Sequence, residues 1–104
     1  VYQATAIGDA GATTSTNTSI TKTLTTAAGE FVCDVEFGAD ADTPQSGQTE
    51  RLTEAGYATH ISTKPAVGAS TTTGWDGALI ARGLGSIAYR PDPGGNPWNY
   101  YAQN

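Results

Sequence analysis

The sequence predicts a mainly β protein, a small antiparallel β-sheet domain, and three observations carry that prediction. Residues 30–37 alternate with a period of two, setting Phe31, Cys33, Val35 and Phe37 against Glu30, Val32, Asp34 and Glu36. Other short runs rich in Thr, Val, Ile and Tyr are bounded by Gly, Pro, Asp or Asn. Nowhere do apolar residues recur at the i, i+3, i+4, i+7 spacing of a long amphipathic helix. At 104 residues the chain is read as a single domain, 1–104, with room for a modest core.

Taken in order, strands are expected at residues 1–7, 18–26, 30–37, 56–63, 77–82 and 85–91. The clearest is 30–37, whose apolar set Phe31, Cys33, Val35 and Phe37 is expected to face the core, with Cys33 a small buried hydrophobe. Turn-like stretches lie at 8–12, 26–30, 38–48, 64–74 and 91–97. A short helix is expected over 49–56, capped by Thr49 and stopped by Gly56. The Thr-rich segments 13–26 and 70–73 read as loop or edge strand, and Asn17-Thr18-Ser19 matches an N-glycosylation sequon. Half-apolar strands must bury one face, so their cover is a second sheet or a helix from another chain.

Composition narrows the function. A net charge of −5, with five scattered basic residues, excludes a phosphate-binding patch and argues against nucleic acid. No apolar run approaches the roughly 20 residues of a membrane-spanning helix. The chain begins at Val1, lacks methionine and is rich in Thr, Gly, Ala and Ser, the profile expected of a secreted protein processed at its N-terminus. A lone cysteine allows no internal disulfide.

Catalytic apparatus is not visible. His60, the one histidine, is read as a surface or edge residue of a strand, and neither it nor Cys33 has partners at metal-ligand spacing. No glycine-rich phosphate loop precedes a helix. Asp40, Asp42 and Glu50, near Asp34 and Glu36, offer hard oxygen ligands of the kind calcium takes, but without EF-hand spacing they read as a solvated acidic loop. Trp75-Asp76-Gly77 reads as a turn anchored by its tryptophan. The expectation is therefore a protein that is not an enzyme, with no catalytic residues, no metal and no cofactor.

The C-terminal stretch is distinctive. Pro93-Gly94 suits the centre of a type II turn, and Asn96 before Pro97 is held extended, so the aromatic run Trp98, Tyr100 and Tyr101 reads as a segment built to dock. "DPGGNPW", residues 92–98, resembles the Asp-Pro-Trp-Gly-Asn-Pro-Tyr motif of type IV pilins and of the major pseudopilins of type II secretion. Asp92, Pro93, Gly95, Asn96 and Pro97 match by type and spacing, Trp98 stands at the motif's aromatic position, and Gly94 replaces its tryptophan. The long N-terminal helix of those families is missing. Six residues follow Trp98 where the families continue with sheet, so the pseudopilin calcium ligands are not carried over.

Without that helix the chain resembles the globular chain of a split type IV pilin of the Geobacter-like kind. The resemblance implies a pilin-globular-domain-like fold and a structural filament subunit, processed and displayed on the cell surface. It would pair non-covalently with a short helical pilin chain and with further copies of itself. Val1, Tyr2, Ile7, Tyr100 and Tyr101 are the candidate assembly residues. Two other readings stay open: an extracellular glycan-binding β-sandwich stacking sugars on Trp75, Trp98, Tyr100 and Tyr101, and a virion surface or decoration protein.

Overall fold

Eight strands and no helix make up the residues that the computed structural model describes, 4–54 and 56–91. They are β1 (Ala4–Ser15), β2 (Ser19–Thr25), β3 (Phe31–Phe37), β4 (Thr43–Pro44), β5 (Thr49–Glu54), β6 (Thr59–Pro65), β7 (Ser70–Asp76) and β8 (Arg82–Pro91). Five form an antiparallel sheet in the order β1-β8-β3-β6-β5, and three form a second in the order β2-β7-β4. The mainly β antiparallel architecture expected from the sequence is what the chain adopts. The cover for the larger sheet's inner face is the second sheet of the same chain.

Local chemistry explains the elements. β3 holds the centre of the large sheet, pairing β6 on one side and β8 on the other, because its run of β-branched and aromatic residues is the strongest strand former in the chain. It starts after a tight turn in which Glu30 N–H donates to Ala27 O and Gly29 takes a φ of +86°, a backbone state a side chain would resist. Of the Thr-rich segments, 13–26 falls on the end of β1 and on β2, both edge strands, whereas 70–73, expected as loop or edge strand within the turn at 64–74, begins β7, the central strand of the smaller sheet. The segment expected to be helical is instead edge strand β5. Its six residues are all exposed, so no apolar helix face needed burial, and pairing with β6 decides its state. β1 runs through the expected turn at 8–12 by way of a bulge between Ile7 and Ala10. Residues 77–81, expected to begin a strand, form a bend after β7, with Gly77 N–H donating to Thr18 O.

The core between the sheets is small. Ile20, Trp75 and Leu84 form one buried apolar cluster, and Leu24, Val32 and Ala88 a second. At roughly 1.5–3 kcal/mol for each large apolar side chain fully buried, Trp75, Leu24, Ile20, Val32 and Leu84 are its main supports.

The main correction concerns which face of β3 is inside. The period of two is present, but Val32, Asp34 and Glu36 are the fully buried side chains, while Phe31, Cys33 and Val35 are only half-buried and Phe37 is 56% exposed. Cys33 is therefore not a core residue. The inner positions of the large sheet also include His60, Ser62, Arg82 and Ser86, so its interior is unusually polar and its outer face apolar.

Candidate functional site: a polar seam inside and an apolar face outside

Two features stand out, and both follow from that inversion. The first is a buried polar seam between the sheets. Asp34 on β3 accepts from Ser62 Oγ at 2.7 Å, Ser62 N at 3.2 Å and the Trp75 indole N–H at 3.3 Å, with Gln48 Nε2 at 3.4 Å. Gln48 also donates to Ser62 Oγ and accepts from Gly74 N, which ties the β4–β5 connection to both sheets. Asp34 can thus be buried because donors from three other elements surround it. Trp75 is wholly buried in β7, with its ring 4.9 Å from that of His60. It anchors the core and is not available to stack on a sugar.

The seam continues into a charged cluster. Arg82, the first residue of β8, donates from Nη2 to Asp42 Oδ1 at 2.8 Å and from Nε to Asp42 Oδ2 at 3.0 Å, and Ala39 N–H adds a third bond to Asp42. Its Nη1 donates to Asn17 O, and its Nε lies 3.4 Å from Glu36 Oε2. His60 Nε2 carries the hydrogen, since its 2.8 Å partner is the Ala39 carbonyl, and Nδ1 faces Thr53 Oγ1 at 3.2 Å and Glu50 Oε2 at 3.5 Å. The side chains of Glu36, Asp42, His60 and Arg82 are all inaccessible to solvent. The surface reading of His60 and the solvated-loop reading of Asp42 are both corrected; Asp40 and Glu50 do remain exposed.

Glu36 is the anomaly: neither of its buried oxygens has a hydrogen-bond donor among the described residues. Burial, together with the Asp42 carboxylate that would accept its proton, pushes the Glu36 carboxyl up to about 8 against the opposing pull of Arg82. Asp42 goes the other way, to about 2. Burial alone would raise it, but the bonds from Arg82, Glu36 and the Ala39 N–H together outweigh that. Glu36, Asp42 and His60 bring one metal-ligating atom each within 4.8 Å of one another. Asp42 is already bonded to Arg82 and His60 Nε2 to a carbonyl, so among the described residues the cation that these carboxylates meet is the guanidinium.

Two glycines admit the cluster. A Cβ on Gly77 would overlap Asp42 Oδ1, and one on Gly38 would overlap both Asp42 Oδ2 and Glu36 Oε2. Gly77→Ala is expected to cost about 1–3 kcal/mol by forcing Asp42 off Arg82. Urea denaturation measures it, and a wild-type midpoint would mean that Asp42 sits elsewhere.

The second feature is the outer face of the large sheet. Register places its side chains in rows: Ile7, Tyr89, Phe31 and Pro65; then Ala10, Ile87, Cys33 and Thr63; then Ala12, Gly85, Val35, Ile61 and Leu52. On this face the three central strands β8, β3 and β6 present no charged side chain, and the charges of Arg51 and Glu54 lie on edge strand β5. Phe31 and Tyr89 stack with centroids 6.1 Å apart. A Cβ on Gly83 or Gly85 would meet nothing within 4 Å, so these glycines lower the floor beside Phe37 and Val35. Cys33, Val35, Ile87 and Gly85 line an open concavity of about 340 Å³ there. Burial and the neighbouring Asp34 charge push the Cys33 thiol up, so it is a slow nucleophile despite its partial exposure.

Of the candidate assembly residues, Ile7 lies at the end of this face, 69% exposed. Val1, Tyr2, the pilin-like motif Asp92, Pro93, Gly95, Asn96, Pro97 and Trp98, and the aromatics Tyr100 and Tyr101 lie outside the described residues. The polar seam was missed in the sequence because its partners are far apart in the chain. One signal was present: four acids, Asp34, Glu36, Asp40 and Asp42, within the nine residues 34–42 that run from an apolar strand into the following loop. No protein-family model, curated protein or solved structure matches the chain.

Proposed function

We propose that this protein is a structural subunit of an extracellular filament of the type IV pilus or pseudopilus kind, and that its large sheet receives a short helical pilin chain. The observation that carries the reading is the uncharged apolar outer face across β8, β3 and β6. Soluble monomers rarely leave a contiguous apolar patch of more than a few hundred Å² open to water, and such patches mark interfaces. The occupant is an apolar α-helix. A helix is about 10 Å across with its side chains, close to two strand spacings of about 4.8 Å, so it fits along the trough that Gly83 and Gly85 open beside β3. The absence of charge on the outer face of the three central strands matches an uncharged helix and opposes a polar one. The pilin-like motif at residues 92–98 supports the same reading, and with it a processed, secreted chain on the cell surface.

Gly85→Val provides the test. In the isolated chain the new side chain enters open space and removes a strand glycine, so the melting midpoint should hold or rise, by about 0.5–1 kcal/mol. In the assembly it should fill the trough and block the helix. Wild-type chain should co-purify with surface filaments and gain soluble yield on co-expression with an adjacent short chain bearing a pilin helix, while Gly85→Val should do neither. Cys33 should label slowly with a maleimide in the isolated chain and become protected by the partner. Filament incorporation of Gly85→Val at the wild-type level, or a concentration-dependent homodimer that buries Cys33, would overturn the helical partner.

A further inference from the structure

We propose that Glu36 and Asp42 hold one proton between them beneath Gly38, and that loss of this proton releases the 38–42 loop from the sandwich. The geometry leaves few alternatives. Both carboxyl groups are inaccessible to solvent, and their oxygens converge on the space a Gly38 side chain would occupy. Asp42 takes the two bonds of Arg82 and the Ala39 N–H, so it is the ionised member. Glu36 has no donor of its own, and a buried carboxylate without donors is far costlier than the neutral acid. Protonated, Glu36 turns from an orphaned acceptor into a donor toward Asp42, and Arg82 and Asp42 then balance each other's charge.

The other charged and titratable groups facing this pair agree. From its own strand Asp34 adds negative charge, and from β8 Arg82 is the cation at the cluster among the described residues. On β6, His60 Nε2 lies 4.0 Å from Glu36 Oε1 but spends its hydrogen on Ala39 O, with Glu50 of β5 behind it. Asp76 of β7 acts on Arg82 and adds a further negative charge. An anion on Glu36 would add to the negative charge of Asp34, Asp42 and Asp76 around one guanidinium.

The sign of the pH dependence follows. Glu36 has its folded value raised from 4.5 to about 8, so its contribution is complete below 4.5 and is lost as pH climbs through about 8. Asp42 is lowered from 3.8 to about 2, so its contribution is present above 3.8 and is lost as pH falls through about 2. The pair's contribution to stability should therefore peak near pH 4–5 and decline on both sides. On the alkaline side the proton leaves Glu36 for solvent hydroxide as the loop opens. The loop is what must give way, because Asp42 and Ala39 supply its bonds to Arg82 and His60.

Urea midpoints of the intact chain between pH 5 and 8.5 test this, with Glu36→Gln as the comparison, since the amide keeps the shape and donates to Asp42 at every pH. The window stops short of the Cys33 thiol, whose raised value acts with the same sign above pH 9. The wild-type folding constant should fall on the order of 10²–10³-fold across the window, and that of Glu36→Gln by less than about fivefold. Measured against its intrinsic base-catalysed rate, amide exchange at Ala39 and Asp42 should lose protection with rising pH in the wild type and keep it in Glu36→Gln. Should Glu36→Gln fail to fold, a carbon NMR titration of the wild-type Glu36 carboxyl decides: a midpoint near 8 supports the shared proton, and one in the ordinary carboxylate range overturns it. Parallel pH curves for the two proteins would also overturn it. So would a rise in midpoint on adding zinc, manganese or calcium to chelator-treated wild type that Glu36→Gln lacks, because the cluster would then hold a cation in the proton's place.

Discussion

Arg82→Met is expected to lower stability by about 3–5 kcal/mol, as removing one member of a buried ion pair does. The guanidinium is held by three separate parts of the chain. It bonds both oxygens of Asp42, reaches the Asn17 carbonyl in the turn between β1 and β2, and sits 3.4 Å from Glu36 on β3. Methionine keeps much of the packing volume but leaves Asp42 ionised and buried, with the Ala39 N–H and the Glu36 proton opposite it and no cation. Most of the cost is that uncompensated charge, not the loss of an attraction. Arg82→Met/Asp42→Asn should therefore recover a substantial part of the loss, with a coupling on the order of 1–3 kcal/mol in a double-mutant cycle. Urea denaturation of the four proteins at pH 6 measures it. A cost for Arg82→Met below about 1 kcal/mol would mean that the pair is solvated, since exposed pairs are worth no more than that.

The same cluster explains how far the sequence could be read. The strand at residues 31–37 was legible almost to its ends, because alternation and β-branched content are local properties. Its inward face was not. Hydropathy put Phe31, Cys33, Val35 and Phe37 inside, whereas Asp34 and Glu36 are buried because Trp75, Ser62, Gln48, Arg82 and Asp42 come to meet them from other strands and connections. A period of two states that a strand has two faces, and only tertiary partners state which faces inward. β5 failed for a related reason. Its Glu, Arg and Leu are good helix formers, but propensity is weak beside a ladder of hydrogen bonds to β6. The apolar outer face could have been anticipated from the same alternation, once the polar set had been assigned to the interior.

Trp75→Ala is expected to have the largest effect of any single change in the core. The indole is completely buried at the centre of the smaller sheet, packs with Ile20 and Leu84, and lies 4.9 Å from the His60 ring. Truncating a buried Trp to Ala costs about 3–5 kcal/mol through lost transfer energy and the cavity left behind. The indole N–H is also a donor to Asp34, with both oxygens at 3.3 Å, and withdrawing a donor from a buried carboxylate adds about 1–3 kcal/mol. A domain of this size has about 5–15 kcal/mol in total, so Trp75→Ala should be unfolded or nearly so at about 37 °C. Trp75→Phe separates the two contributions. It retains most of the ring packing and loses the N–H, and should cost about 1–3 kcal/mol while remaining folded. Asp34→Asn in the Trp75→Phe background should then restore part of that loss, because the neutral amide demands fewer donors than the carboxylate. Circular dichroism during urea titration reads all three variants. A Trp75→Ala midpoint within about 1 kcal/mol of wild type would remove the tryptophan from the core, and a cost-free Trp75→Phe would remove its N–H from the Asp34 network.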